Sequence, residues 1–145
     1  MLELKKYLND DVINVIKSFI IFQPQTRKEL GLALYLITKN KEQSNKNHGP
    51  IYLWDVSKIT NMSNLLSYKF NFNENINDWD VSNVTAMKDL FKYAISFNQD
   101  ISIWDVSSVT TMEAIFWGAD NFNQDISGWD VSNVTNMRWM FGSAD

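Results

Sequence analysis

Aspartate recurs at a fixed spacing along this chain. Its carboxylate is the group in the repeat that is best able to bind a metal ion or to transfer a proton. Stacked carboxylates could bind calcium, and a close pair of them could transfer protons. A carboxylate that recurs in every repeat serves structure rather than a single active site. An aspartate also accepts a hydrogen bond from the backbone two residues later, which closes a tight turn. We therefore expect turn-forming aspartates, with no catalytic residue, metal or cofactor, in one row at Asp55, Asp80, Asp105 and Asp130 and a second row at Asp100 and Asp125.

Tryptophan recurs at the same interval, because the segment Trp-Asp-Val-Ser begins at Trp54, Trp79, Trp104 and Trp129. Rings that point outward would form a ladder for sugars or peptides, since an aromatic ring offers a large contact area at a small cost in entropy. Rings that point inward would stack in a core. We favour the buried ladder, and the alternative is a surface adhesin or carbohydrate binder that uses the outward ladder.

The composition excludes several other kinds of site. The 145 residues include no cysteine, which removes disulfides, thiol nucleophiles and thiolate zinc sites. The single histidine, His48, cannot form a metal cluster alone, and we expect it to be solvated in a polar connector. The net charge of −4 comes from interspersed acidic and basic residues, so neither a nucleic acid nor a membrane is favoured as a partner.

The 25-residue interval is typical of a tandem-repeat protein. In the second unit, Asp80 marks a corner, Thr85 begins one or two helical turns, and residues 97–101 favour a short strand. Stacked units of this kind predict an α/β solenoid of about four coils, each with a short parallel strand and a short helix. The predicted units are 54–78, 79–103, 104–128 and a truncated 129–145.

Residues 1–48 lack the repeat and predict a two-helix cap, whereas residues 49–145 form the repeat domain. Apolar residues spaced by three and four between positions 12 and 20 predict the first helix. The charged start of the chain resembles no signal peptide, and no stretch is long and apolar enough to span a membrane. We expect an intracellular location. A virus-encoded protein in the cytoplasm of a host cell would fit this expectation.

The second predicted helix begins at a recognisable signal. Thr26-x-x-Glu29 has the spacing of a capping box, in which the two side chains satisfy backbone amides at the start of a helix. This spacing and the apolar residues after it predict a helix from about Arg27 to Lys39. The polar tract 40–50 that follows has nothing to bury, so it predicts an exposed connector.

The repeated pattern Trp-Asp-Val-Ser-Asn-Val-Thr-x-Met, followed by Phe-Asn-Gln-Asp-Ile-Ser, resembles the 25-residue repeat of BspA-like leucine-rich-repeat surface proteins, which are common in bacteria and mycoplasmas. The resemblance covers roughly residues 24–145. It implies a leucine-rich-repeat-like solenoid and a role in protein binding or adhesion. The start of the chain shows no secretion signal, which departs from the family's usual location at the cell surface.

Residues 8–20 are similar to the opening helix of an F-box, although Asn9 stands where that motif has a proline. An F-box followed by repeats would imply an adaptor that brings substrates to ubiquitin ligation. The similarity covers only about a dozen residues, and an ordinary capping helix accounts for the same pattern. We favour the capping helix and retain the adaptor as an alternative function.

The function we predict is that of a non-catalytic scaffold for protein–protein interaction, whose partner the sequence does not identify. Binding residues are expected where the consensus varies between repeats. An apolar last coil without a successor would also favour self-association, giving a homodimer. The candidate interaction residues are Lys58, Asn83, Ser108, Asn133, Tyr68 and Tyr93, and the candidate self-association residues are Val134, Met137, Met140 and Phe141.

Overall fold

The computed structural model describes residues 21–143, and both the predicted first helix and the F-box-like segment lie outside this range. Two α-helices open the described part, α1 at Arg27–Lys39 and α2 at Lys41–His48, and a short 3-10 helix follows at Ile51–Leu53. Four successive repeats of turns come next, and one continuous core of buried side chains runs from α1 through them.

Helix α1 begins and ends where the sequence predicts. The Thr26 hydroxyl accepts a hydrogen bond from the Glu29 amide at 3.2 Å, and the Glu29 carboxylate accepts one from the Gln25 amide at 2.8 Å. Both side chains therefore satisfy amides at the start of the helix. The Arg27 guanidinium donates to the carbonyl of Ser63, which ties α1 to the first repeat. The buried face of α1 consists of Leu30, Ala33, Leu34 and Ile37.

Helix α2 stands where the polar composition predicts an exposed connector. The tract is largely exposed, as expected, but it is helical, which the sequence analysis did not predict. The Asn40 side chain accepts a hydrogen bond from the Gln43 amide at 2.9 Å and thereby caps the start of the helix. Ser44 is its one buried residue. Apolar periodicity could not reveal this helix, because its caps and its contact with α1 define it rather than an apolar stripe.

His48, the last residue of α2, is packed between two aromatic rings rather than solvated as expected. The centroid of its ring lies 4.4 Å from that of Phe22 and 5.8 Å from that of Trp54. Burial lowers the pKa of the His48 imidazole, which favours the neutral form of the ring. The histidine is therefore part of the packing that joins α2 to the first repeat.

The predicted α/β solenoid of strand-and-helix coils is wrong. Residues 54–143 contain neither an α-helix nor an extended strand. Their parallel pairing is limited to single bridges that link Asn61 to Ala86, Ala86 to Thr111, and Thr111 to Asn136. The same finding shows that the leucine-rich-repeat coil implied by the family resemblance is also wrong.

Positive φ angles replace the expected helical turns. Asp89 and Tyr93 have φ angles of 55° and 54°, whereas a right-handed helix requires negative φ. The amide of Asp89 donates to Glu113 at 2.9 Å and that of Tyr93 to Trp117 at 2.7 Å, so both point to the next repeat. Apolar residues three and four apart fit these turns as well as they fit a helix, and spacing alone does not separate the two structures.

A ladder of side chains replaces the strand predicted at residues 97–101. The Asn73 side-chain oxygen accepts hydrogen bonds from the Asn98 amide at 3.0 Å and from the Gln99 side chain at 2.9 Å. Asn98 accepts in the same way from the Asn123 amide at 3.0 Å. An asparagine oxygen thus takes the place of the backbone acceptor that a parallel strand would supply, and the segments pair without becoming strands.

Four alternate backbone amides of each of the first three repeats bind carbonyl groups of the next repeat. The same set recurs at all three junctions between repeats, which gives the stack a regular register. These bonds satisfy backbone groups that would otherwise be buried without partners. At the first junction they join Met62 to Ala86, Asn64 to Lys88, Leu66 to Leu90, and Tyr68 to Lys92, at 2.7 to 3.1 Å.

The tryptophans of the four Trp-Asp-Val-Ser segments lie in the core, with exposed fractions between 2% and 7%. The Trp79 indole donates to the Ile51 carbonyl at 3.0 Å, and the Trp104 indole donates to the Ile76 carbonyl at 3.2 Å. Each of the four buried indole N–H groups therefore has a backbone carbonyl acceptor earlier in the chain, as burial of this polar group requires. These tryptophans form the buried ladder and present no outward surface.

Candidate functional site

The repeated aspartates close tight turns, as the sequence predicts. The Asp80 carboxylate accepts hydrogen bonds from the Ser82 amide at 3.1 Å and from the Ser82 hydroxyl at 2.6 Å. Asp105 accepts from Ser107 in the same way, at 3.0 and 2.6 Å. Within residues 21–143, no three side chains of metal-binding type lie close enough together to hold an ion. In each of these turns Oδ1 of the aspartate is the acceptor.

The serine hydrogen bonds lower the pKa of several of these carboxyl groups. For Asp105 the largest cause is the hydrogen bond from the Ser107 hydroxyl, followed by that from the Ser107 amide. Both bonds favour the ionised carboxylate over the protonated acid. The pKa values of Asp100, Asp125 and Asp130 are lowered by the serines of their own turns.

We expect the protein to lose stability as the pH falls below about 4. A carboxyl group whose pKa is lower in the folded state contributes stability above its unfolded pKa. That contribution is lost as the pH falls through the folded pKa. The measurement is the urea midpoint of unfolding at several pH values between about 5 and 3. Asp105→Asn keeps an acceptor for the turn without the charge, so it should make the pH dependence shallower. A wild-type midpoint that stays constant over this range would contradict the prediction.

Four aromatic side chains, one from each repeat, form a row on the surface, which we call the aromatic row. Its members are Tyr68, Tyr93, Trp117 and Trp139. The rings of Tyr68 and Tyr93 have centroids 5.1 Å apart, and those of Trp117 and Trp139 are 5.6 Å apart. The Trp117 indole donates to the Tyr93 hydroxyl at 3.2 Å, which joins the two halves. Tyr68 is 56% exposed and Trp139 is 55% exposed, whereas Tyr93 and Trp117 between them are half-buried.

The sequence predicts half of this row. Tyr68 and Tyr93 occupy the same position of successive repeats, and both are candidate interaction residues. Trp117 and Trp139 occupy other positions of their repeats, and Gly118 and Ser143 stand where the tyrosines would be. The sequence signal for Trp117 and Trp139 is that they are tryptophans outside the Trp-Asp-Val-Ser segment. The buried ladder does not require these two tryptophans.

Two glycines provide the space in which the inner rings of the row lie. A Cβ atom on Gly118 would lie 2.4 Å from Cδ1 of Tyr93, and one on Gly142 would lie 2.8 Å from Cε3 of Trp117. Real Cβ atoms do not approach other atoms so closely. The rings of Tyr93 and Trp117 therefore rest on the bare backbone of the following repeat, which fixes their positions.

Gly118→Ala is expected to displace the Tyr93 ring and to break its hydrogen bond with Trp117. The overpacked site should lose about 1–3 kcal/mol of stability. Backbone strain is a smaller cause, because Tyr93 itself adopts a φ of 54° at the equivalent position. The measurements are urea unfolding and the indole N–H chemical shift of Trp117. Gly128→Ala is the matched control, since a Cβ there would meet no atom within 4 Å. Equal behaviour of the two variants would contradict the prediction.

Basic side chains lie beside the rings of the row. The Lys92 ammonium is 5.8 Å from the Trp117 ring centroid, and the Arg138 guanidinium is 4.8 Å from that of Trp139. Distances of this order allow a favourable cation–π interaction. Lys92 also forms an ion pair with Asp89 at 3.2 Å. The surface along the row thus combines aromatic rings with cationic groups.

The second set of predicted interaction residues is exposed, but half of it also holds the stack together. The Asn83 side chain donates to the Ser57 carbonyl at 3.0 Å, and the Asn133 side chain donates to the Ser107 carbonyl at 2.7 Å. Lys58 and Ser108 are exposed at the equivalent positions of the other repeats. A structural role explains the two asparagines, and binding by this set stays a prediction.

The predicted self-association residues lie on the outer face of the fourth repeat, which we call the end face. Met137 is 39% exposed and Phe141 is 51% exposed, whereas their equivalents Met112 and Phe116 are fully buried. Val134 and Met140 are half-buried against the core. The amides of Met137 and Phe141 have no acceptor within the described residues, although their equivalents in the third repeat bind the fourth. As far as residues 21–143 show, the end face therefore combines apolar side chains with backbone donors that have no acceptor.

No helix within residues 21–143 combines the length and the apolar character that crossing a membrane requires. The chain matches no curated protein and no solved structure. A family model described as "Mycoplasma protein of unknown function, DUF285" matches residues 36–145. This match covers the end of α1, all of α2 and every repeat, which is well over half of the chain. The chain therefore belongs to the DUF285 family, a mycoplasma-type repeat family.

Proposed function

We propose that this protein is a non-catalytic scaffold that binds another protein through the aromatic row. The observation that carries the proposal is the row itself: each of the four repeats places an aromatic side chain on the surface, and these rings contact one another. Tyrosine, tryptophan and arginine are the residues most enriched at the energetic centres of protein interfaces. The core does not need these rings, since the tryptophans of the repeated segments already fill it.

The row is also held in place before any partner arrives. Backbone hydrogen bonds at every junction fix the spacing of the repeats, and Gly118 and Gly142 fix the inner rings. A surface that is already ordered loses less side-chain and backbone entropy on binding. Preorganisation of this kind favours a binding role over a merely solvent-exposed set of residues.

The geometry is less suited to a carbohydrate platform, which is the alternative function. The planes of Tyr68 and Tyr93 meet at 32°, and those of Trp117 and Trp139 meet at 86°. The four rings therefore do not present parallel faces on which successive sugar rings could stack. Side chains of a protein partner can pack against edges and faces alike, so the observed arrangement favours protein.

A selection from random peptides displayed on phage tests the proposal. We expect wild-type protein to enrich peptides that bind the double variant Tyr93→Ser/Trp117→Ser at least about tenfold more weakly, a loss of roughly 1.4 kcal/mol. Ser143 occupies the position equivalent to Tyr93 with a φ of 53°, so serine fits that backbone. Urea unfolding checks that the variant is folded.

Lys58→Ala/Ser108→Ala is the matched control for the same selection, since both residues are exposed and belong to the other predicted set. It should bind the selected peptides as tightly as the wild type does. Binding that depends on Lys58 and Ser108 instead would move the function to that set. A selection that enriches no peptide would contradict the proposal.

Self-association through the end face is a second candidate, favoured by the exposure of Met137 and Phe141. Two copies related by a twofold axis would bring backbone donors against donors, so side chains alone would hold the dimer. Light scattering over a concentration series tests this, with Phe141→Asp on the end face and Phe70→Asp as a control that is 50% exposed elsewhere. A dimer that only Phe141→Asp dissociates supports the candidate, and a monomeric wild type at high micromolar concentration excludes it.

The resemblance to BspA-like surface proteins is a more specific statement than the family match. We infer that the repeat of this chain and the BspA-like repeat are related in sequence, because Trp-Asp-Val-Ser-Asn-Val-Thr-x-Met and Phe-Asn-Gln-Asp-Ile-Ser recur here in the same order. This relationship supports a role in protein binding. A repeat-by-repeat alignment that fails to place the tryptophan and methionine in register would contradict it.

A further inference from the structure

A cleft opens at the end of the aromatic row nearest to α1. It lies between the last turn of α1 and the turns of the first repeat, and its volume is about 290 Å³. Ile37, Tyr68 and Phe70 supply apolar and aromatic walls, and Lys39 and Lys69 contribute cationic groups. Tyr68 belongs to both the cleft and the row, so a ligand in one is next to the other.

The two lysines of the cleft concentrate positive charge around a single ring. The Lys39 ammonium lies 5.8 Å and the Lys69 ammonium 5.3 Å from the centroid of Tyr35. Partial burial, followed by repulsion from Lys39, lowers the pKa of Lys69. The tyrosine ring attracts each ammonium group through its face, but it carries no negative charge that would neutralise them.

The acidic group of the cleft is already occupied. The Glu74 carboxylate binds the Lys41 ammonium with both oxygens, at 2.9 and 2.8 Å. Within the described residues, neither Lys39 nor Lys69 has a carboxylate within ion-pair distance. The end of α1 attracts the positive charge of Lys39 through the helix dipole, but this effect does not account for Lys69. Among residues 21–143, no carboxylate therefore compensates the positive charge of Lys39 and Lys69 in the cleft.

We propose that this cleft binds a carboxylate side chain of an acidic peptide segment in the protein partner, while the aromatic row receives apolar side chains of the same segment. This inference rests on the proposed function and names the chemistry of its partner. The net charge of −4 does not oppose it at physiological salt, where charges more than about 8 Å apart are largely screened. The nearby lysines decide the local field.

Two synthetic peptides test the inference, one rich in glutamate and leucine and the other with glutamine at every glutamate position. We expect wild-type protein to bind the glutamate peptide about tenfold more tightly than its glutamine twin, as two partly exposed ion pairs allow. The variant Lys39→Gln/Lys69→Gln should remove that preference without changing its affinity for the glutamine peptide. Lys28→Gln/Lys46→Gln removes the same charge from two other exposed lysines and should keep the preference.

The outcomes separate this inference from the proposed function. Equal affinity of wild-type protein for the two peptides overturns the carboxylate site and leaves the row as a binding surface. Loss of the preference in both lysine variants shows a general charge effect and also overturns the site. Binding of neither peptide overturns the inference as well, whereas the proposed function then depends on the phage selection alone. Urea unfolding of each variant confirms that it is folded.

Discussion

Phe116→Ala is expected to destabilise the protein by about 3–5 kcal/mol. Phe116 is fully buried at the centre of a stack of rings. Its centroid lies 4.0 Å from that of Phe122 and 5.5 Å from those of Phe91 and Phe141. Truncation removes contacts with the repeats on both sides at once. The four backbone hydrogen bonds at each junction prevent the stack from collapsing into the cavity. Urea unfolding measures the loss.

Phe141→Ala is the matched control for this prediction, because the two phenylalanines occupy the same position of successive repeats. Phe141 is 51% exposed and has a described neighbour on one side only. It should lose less than half as much stability as Phe116→Ala, since it forfeits less buried area. Equal losses at the two positions would mean that the rings do not form the described stack.

Trp104→Ala is expected to have a comparable effect, a loss of about 3–5 kcal/mol. The substitution empties a buried site and also removes the indole donor from the Ile76 carbonyl, which lies 3.2 Å away. Trp104→Phe separates these causes, since it retains most of the apolar volume and leaves only the carbonyl unsatisfied. We expect it to lose about 1–3 kcal/mol.

Trp139→Ala is the control for Trp104→Ala, and it also tests the proposed function. Trp139 is 55% exposed in the aromatic row, so its removal should change the free energy of unfolding by less than about 1 kcal/mol. It should nevertheless weaken the binding of the selected peptides. A large loss of stability at Trp139, or a small one at Trp104, would contradict the division of the tryptophans into core and surface groups.

The sequence predicts those features of the fold that depend on local chemistry. The capping residues Thr26 and Glu29 define α1, the aspartate–serine pairs define the turns, and the 25-residue interval indicates which residues stack. The backbone conformation within the repeats was not predictable in this way. Positive φ angles occur at Asp89, Tyr93 and Ala114, and neither tyrosine nor alanine signals a left-handed backbone. Such angles persist because the bonds between repeats compensate for their cost.

The candidate site was predictable only in part for a related reason. Tyr68 and Tyr93 share a consensus position, whereas Trp117 and Trp139 join them through the three-dimensional packing of different positions. The cleft depends on Lys39 at the end of α1 and Lys69 in the first repeat, which approach each other only when α1 covers that repeat. The spacing of residues along the chain does not predict either contact.

The six tryptophans can report whether the aromatic row binds protein. In a ¹H–¹⁵N spectrum each indole N–H produces its own signal, and a selected peptide is titrated into the labelled protein. We expect the signals of Trp117 and Trp139 to shift as the peptide binds, while those of the four buried tryptophans stay in place. Shifts confined to the buried tryptophans, or peptide binding that leaves Trp117 and Trp139 unchanged, would contradict this expectation.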